Sequence, residues 1–360
     1  MIPLFHPETK YWKECSAAVE TVLKSRWWGQ AHKVDEFEKK FSNNFNYQYS
    51  LSLNSGSAAL ELAYRLIDIQ KNDEVIVPVL TCTATNLPLL RMGAKVVFAD
   101  VSKETLLIST EDVKRKINKK TKAIVVVTLG GLPIDPELFQ IARENNIPVV
   151  VDAAQSLGVS EQYGDYLTYS FQAIKHFSTG DGGMLVVRNK EDYSRAKKLR
   201  WFGIDREAKI GANWQAWKDR EMTIDIEEPG YKFHMNDITA SLGLVGLKYS
   251  DEILNTRRKL TKIYDEKLKC DQKVSGGACW LYGVIIENRD QIASQLMAKG
   301  VDVNMVHLRN DIYKVFGGKR QDLMNMNDIE EKYLYLPLNS SLTENQVEEV
   351  ITIFNHIVTK

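Results

Sequence analysis

Residues 122–156 read KAIVVVTLGGLPIDPELFQIARENNIPVVVDAAQS, and the class of fold follows from them. An apolar run (122–129) leads through a turn into a helix-patterned segment (135–146) and a second apolar run (147–154). Strand, helix, strand is a crossover unit, which sets its two strands side by side and parallel. The alternation continues upstream. SLSLNSG (50–56) is a strand entering a turn, SAALELAYRLIDI (57–69) a helix and DEVIVP (73–78) a strand. TATNLPLLRMG (83–93) is a helix ended by its glycine, and AKVVFADV (94–101) is a strand. STEDVKRKIN (109–118) opens on Ser109 with Asp112 three positions on, close to a capping pattern. Downstream, LTYSFQA (167–173) and GGMLVVR (182–188) read as two more strands. Strands alternating with helices predict an α/β fold: a mostly parallel sheet covered on both faces.

Around this frame, residues 11–25 and 34–45 have helical apolar spacing. Residues 205–229 are polar and aperiodic and read as a long functional loop. Residues 237–268 form one long helical stretch. A smaller unit follows, with a strand at 280–287 and helices at 288–300 and 341–358, so the domain boundary is expected near residue 250.

Composition excludes several classes. Lys+Arg and Asp+Glu are equal at 47 each, which argues against nucleic acid or an anionic membrane as partner. The start, MIPLFHPETK, lacks a basic segment followed by an apolar run, and the apolar runs are strand-sized. The four cysteines form no CxxC pair and the six histidines no HExxH, so no disulfide framework and no metal site is expected. Together these predict a reduced, cytoplasmic location. Zero net charge also permits self-association.

Three positions carry chemistry. Asp152 ends an apolar strand, where open α/β sheets bind ligands. Alone it is better read as a turn cap. Lys175 sits in SFQAIKHFSTGDGG (170–183), among Phe171, Ala173, Ile174 and Phe177. A lysine in apolar company is paired or chemically used. Asn54-Ser-Gly-Ser57-Ala58 lies between a strand and a helix, where backbone N–H groups and the Ser57 hydroxyl can cradle a phosphate. Alone, this is an ordinary helix cap. Phosphate cradle, carboxylate and lysine amine on one sheet are what pyridoxal phosphate requires.

The ordered motifs SGSAAL, DEVIVP, GAKVVFADV, VDAAQS, SFxxxK, GDGG and GYKFHMND resemble the DegT/DnrJ/EryC1/StrS family of sugar aminotransferases. The resemblance runs from GQAHKVDEFEKKF to LYLPLNSSLTENQVEEV and covers essentially the whole chain. It implies the PLP-dependent transferase fold type I. That is a large domain (1–250) with an N-terminal arm and a mostly parallel seven-stranded sheet, then a small C-terminal α+β domain (251–360). It implies Lys175 as Schiff-base lysine and proton shuttle, Asp152 at the pyridinium nitrogen and Gln155 near the ring hydroxyl. Ser57, the Ala58 backbone and Ser170 are implied as phosphate ligands.

Two motifs depart from the family. Where many members carry a ring-stacking aromatic after Pro-x-x-Thr, Pro78-Val-Leu-Thr81 is followed by Cys82, which either faces the cofactor or fills core. Where a partner subunit sends an Asn to the phosphate, this chain has Lys232, a cation for that phosphate or else an exposed lysine. Trp27, Trp28 and Gln30 resemble the mouth of the sugar-nucleotide site, or else anchor the N-terminal arm. His307 and Arg309 fall where the family places substrate contacts, although a surface salt bridge also accounts for Arg309.

The resemblance predicts a homodimer that moves an amino group from glutamate to a keto sugar through pyridoxal and pyridoxamine 5'-phosphate. The sugar is expected to be a nucleotide-linked 4-keto-6-deoxy or 3-keto hexose, in amino-sugar and polysaccharide biosynthesis. Two rivals are a sugar dehydratase, in which histidine replaces the lysine, and a non-catalytic regulatory homologue. Lys175 is the fifth residue after Ser170 and His176 the sixth, which favours transamination.

Overall fold

Seven strands make the frame: β1 (Tyr49–Leu53), β2 (Glu74–Pro78), β3 (Lys95–Ala99), β4 (Thr121–Val127), β5 (Val149–Asp152), β6 (Tyr166–Ser170) and β7 (Gly183–Val187). They form one sheet in the order β1-β7-β6-β5-β4-β2-β3. β3, β2, β4, β5 and β6 run parallel, and β7 is antiparallel to β6 and β1. The computed structural model describes residues 1–7, 10–158, 163–211 and 225–359.

The central strands are apolar throughout because both faces are covered; β5 is buried from Val149 to Asp152. The helices in chain order are α1 (Trp12–Lys24), α2 (His32–Phe45), α3 (Gly56–Leu66), α4 (Thr83–Arg91), α5 (Thr110–Lys116), α6 (Pro136–Glu144) and α7 (Lys190–Arg200). Then come α8 (Arg206–Gly211), α9 (Asp237–Lys248), α10 (Ser250–Lys267), α11 (Arg289–Ala298), α12 (Met324–Ile329) and α13 (Glu344–Val358). α3 packs on β6 and β7, while α2 lies between β1 and α9. Local signals hold where expected. The Ser109 side chain caps α5 by accepting from the Asp112 N–H, and Gly93 takes the left-handed conformation (φ 76°) just past α4.

A second sheet of three antiparallel strands, β8 (Gln272–Val274), β9 (Tyr282–Ile285) and β10 (Tyr333–Leu336), has the order β10-β9-β8. It packs with α10, α11 and α13 around a core of its own that includes Tyr264, Leu296, Val347 and Phe354. Ile2 belongs to that core, and its N–H donates to the Gly300 carbonyl at 2.7 Å.

Three expectations change. The segment expected to be all loop contains α8, and its residues 212–224 lie outside the described ones. The helical stretch 237–268 divides at Tyr249, whose ring stacks on Tyr11 at 3.5 Å between centroids. β8 and β10 were not anticipated: β8 has only three residues, too few to show an alternation. No described helix is long and apolar enough to cross a membrane.

Candidate active site

The crossover rule brings the carboxyl ends of the parallel strands to one edge, and the three sequence-derived positions meet there. Asp152 closes β5 and is 4% exposed. One carboxylate oxygen accepts from the Thr85 hydroxyl at 2.7 Å, the other from the Ala154 N–H at 3.1 Å. Thr85 is itself paired with the Thr81 hydroxyl at 3.0 Å. Burial raises the Asp152 pKa, and the two hydrogen bonds and Lys175 oppose that rise.

Lys175 follows β6 in a tight turn, its N–H bonded to the Gln172 carbonyl at 2.9 Å. The residue keeps some surface, but its amine is hemmed in by protein and lies 4.2 Å from the Trp280 ring centroid. Burial lowers its pKa to about 8, with Asp152 and Cys82 pulling the other way. His176, one residue on, is buried and points elsewhere: its Nε2 meets the Ala278 carbonyl at 2.8 Å.

The cradle forms at the start of α3. Gly56 lets the helix begin against the end of β6, since a Cβ on it would come within 2.9 Å of the Ser170 Cβ. Gly183, first in β7, does the same beneath, where a Cβ would lie 2.3 Å from the Ser55 carbonyl oxygen. The start of α3 thereby lies against Ser170 at the end of β6. The Ala58 N–H, expected as a phosphate ligand, donates to the Ser55 hydroxyl at 3.1 Å, the usual capping bond of a helix start.

Gln155 lies beside this edge, buried. Its Oε1 accepts from the Gly130 N–H at 2.6 Å and its Nε2 lies 3.0 Å from His307 Nε2. His307 therefore comes from the C-terminal unit to the strand edge. Burial, aided by the Lys175 charge, lowers its pKa to about 4. Cys82, just before α4, is exposed and acts on the Lys175 amine, so it faces the site and does not fill core.

Arg309 is a correction. It is 2% exposed, and each of its five N–H groups has a partner. Asp311 takes two, at 2.7 Å each, while Asn327, Glu330 and the Arg320 carbonyl take the others. It braces the 305–330 region and has no donor left for a substrate. Trp28 is 55% exposed, and its indole N–H returns to the Leu23 carbonyl, so within one chain it is a surface residue of the α1–α2 turn. Lys232 is exposed, its amine 4.8 Å from the Trp201 ring centroid, and the Asn54 amide donates to its carbonyl at 3.2 Å. Thr85 and Trp280 were missed, because nothing local in TATNLP or GGACWLYG announces a long-range contact.

The model of the DegT/DnrJ/EryC1/StrS aminotransferase family matches residues 10–355. A GDP-perosamine synthase of Escherichia coli O157:H7 is 28% identical over 96% of this chain and 95% of its own. A dTDP-4-dehydro-2,3,6-trideoxy-D-glucose 4-aminotransferase of Saccharopolyspora spinosa is 29% identical over 95% of this chain and 93% of its own. Among solved structures, Spr1654 of Streptococcus pneumoniae, assigned as a sugar aminotransferase and solved in PMP-form, superposes with a TM-score of 0.91. It is 26% identical and covers 100% of this chain and 99% of its own.

Proposed function

Because the chain belongs to the DegT/DnrJ/EryC1/StrS aminotransferase family, we propose that it transfers the amino group of glutamate to a nucleotide-linked keto hexose with pyridoxal 5'-phosphate as cofactor. Among the described residues the buried Asp152 carboxylate accepts two hydrogen bonds, both from neutral donors, and burial raises its pKa, so a protonated ring nitrogen of the cofactor suits it as a direct partner. The α3 N-terminus with the Ser57 and Ser170 hydroxyls suits a phosphate. The observation that carries the reading is the Lys175 amine, set against the Trp280 ring within reach of the Asp152 charge and lowered in pKa by burial to about 8.

When bound, pyridoxal phosphate supplies the carbonyl that takes up nitrogen and a ring that withdraws electrons from the carbon being deprotonated. The residues would do the rest. Asp152 would hold a proton on the ring nitrogen. Lys175 Nζ would anchor the cofactor, and its amine would take the proton from the amino-donor carbon and later return one to the sugar carbon. Its lowered pKa leaves a useful share of neutral amine near pH 7. Trp280 closes one side of the amine against water.

The two nucleotide-sugar enzymes named above support a sugar nucleotide as acceptor, and they differ in nucleotide. In this reading the enzyme works in the cytoplasm as a homodimer of 1–250 and 251–360 domains, making amino sugars for polysaccharide. Exposed Trp12, Leu23, Trp27 and Trp28 at the N-terminal helices support self-association. The dehydratase rival needs a histidine where Lys175 stands, and His176 is committed to Ala278.

The test is an absorption spectrum of purified protein with cofactor. The wild type should show a visible band that shifts toward the ultraviolet on adding glutamate, with 2-oxoglutarate formed. Lys175→Ala should lose both. No band even with added cofactor sinks the reading, and a band indifferent to glutamate redirects it to the dehydratase.

A further inference from the structure

Thr85 sits in the first turn of α4 and is wholly buried, and Thr81, just ahead of the helix, is buried with it. A helical threonine commonly turns its hydroxyl back to the carbonyl three or four residues earlier. Both carbonyls are already engaged here. That of Cys82 accepts the Thr85 N–H at 3.1 Å, and that of Thr81 accepts the Asn310 side-chain amide at 2.7 Å. The Thr85 hydroxyl reaches across the fold instead, to a carboxylate oxygen of Asp152 at 2.7 Å. Its backbone is pinned from a third side, where the buried Tyr64 hydroxyl donates to the Thr85 carbonyl at 2.8 Å. Among the described residues Thr85 is the only side chain that donates to Asp152; the other donor is the Ala154 backbone. The direction of the chain follows from proton counting. An ionised carboxylate only accepts, so the single hydroxyl proton of Thr85 goes to Asp152. The 3.0 Å contact between the two hydroxyls is then donated by Thr81. The order is Thr81 to Thr85 to Asp152, and each donation makes the next hydroxyl a stronger donor.

We propose that Thr85 is the positioning residue of Asp152: with Thr81 behind it, it fixes the carboxylate and holds it in the anionic form, so that a proton shared with the ring nitrogen of the cofactor stays on the nitrogen. The part played at the nitrogen rests on the aminotransferase reading, whereas the donor chain stands on this protein's own residues. Without the Thr85 hydroxyl the carboxylate is more basic and draws the shared proton to itself, which weakens the ring as an electron acceptor. Burial pushes Asp152 toward the neutral acid, and the Thr85 hydroxyl is the largest of the effects that oppose it, ahead of the Ala154 N–H and the Lys175 charge. The remaining titratable neighbour, Tyr64, is kept neutral by burial and by the Asp152 charge.

Two measurements test this. The first uses cofactor-free protein with ¹³C-labelled aspartate carboxyls, the Asp152 signal being the one lost in Asp152→Asn. Thr85→Val keeps the shape and removes the hydroxyl, and should raise the Asp152 titration midpoint by about one to two pH units. Thr85→Ser keeps the hydroxyl and should leave the midpoint nearly unchanged. Thr81→Val leaves Thr85 in place and should raise it by a smaller amount, which keeps the chain testable if Thr85→Val folds poorly. The shifts should persist in a Lys175→Met background. No shift in either valine variant, or the same shift in Thr85→Ser as in Thr85→Val, overturns the donor chain whatever the enzyme does. The second measurement uses pyridoxal 5'-phosphate carrying ¹⁵N in its ring. The bound nitrogen should be protonated near neutral pH in the wild type and lose proton character in Thr85→Val. The glutamate half-reaction should slow about tenfold in that variant at little change in the KM for glutamate, and Thr85→Ser should restore it. A nitrogen equally protonated with and without the hydroxyl, or a loss that falls on KM alone, overturns the role at the nitrogen. If the wild type takes up no cofactor, the aminotransferase reading and that role fall together, and the first measurement alone decides the donor chain.

Discussion

A single amine sets the pH behaviour of this protein. Lys175 has its pKa lowered from 10.5 to about 8 by burial. Its folded value lies below its unfolded one, so the buried charge costs stability in full below about pH 8. That cost is relieved as pH rises from about 8 toward 10.5. Cofactor-free protein should therefore gain stability over that window relative to Lys175→Met, in paired denaturant titrations. The same shift makes Lys175 the most aldehyde-reactive lysine near neutrality, with a reaction midpoint near pH 8 in a labelling experiment. Asp152 and Lys175 were legible as candidates only in combination, as two charges beside apolar runs on the same sheet as the Ser57 turn. Trp280 and Thr85 were not, since Thr85 reaches Asp152 across 67 residues and only the folded chain makes that contact.

At the scale of elements, the junction of β6, β7 and the start of α3 is the most exacting part of the molecule. Its demand falls on Gly56, where a methyl would press on Ser170 at 2.9 Å. Gly56→Ala should push the helix start away from β6. We expect at least a tenfold loss of affinity for pyridoxal phosphate and a much smaller one for pyridoxal, which lacks the phosphate, in equilibrium dialysis. Equal losses for both would place the phosphate elsewhere. The strand–helix alternation made this junction readable, since apolar runs and a small-residue turn are local signals. The break between α9 and α10 was not readable. It carries no proline or terminal glycine, and the Tyr249 ring is engaged by Tyr11 from far upstream. The direction of β7 was equally hidden, because a short apolar strand looks the same parallel or antiparallel.

Across the whole molecule, a small polar clasp ties the 305–330 region to the large sheet. The Asn310 N–H donates to the Val79 carbonyl and its side-chain amide to the Thr81 carbonyl, each at 2.7 Å. The Asn86 amide closes the ring by donating to Asn310 Oδ1 at 2.9 Å. Asn310→Ala strands buried polar groups on both sides, so we expect a loss of about 2 kcal/mol in denaturant unfolding, together with a weaker hold on His307. A change below about 0.5 kcal/mol would show the clasp to be incidental. Arg309 belongs to the same brace: of its two sequence readings the fold shows the ion-paired one, buried and not at the surface. Pattern registers a guanidinium but not the five acceptors that the fold gathers around it.

Ile2, seated in the second core with its N–H on Gly300, has a bearing on synthesis. A ribosome releases this chain from its N-terminal side, so the arm emerges long before the helix and strands that receive it exist. The contact between Ile2 and Gly300 can form only once the segment around Gly300 has been made, so the seven-stranded sheet is complete in the growing chain before that contact is available. A trigger factor or a stalled nascent chain would meet the arm exposed, whereas a protease added after release would find it already stowed.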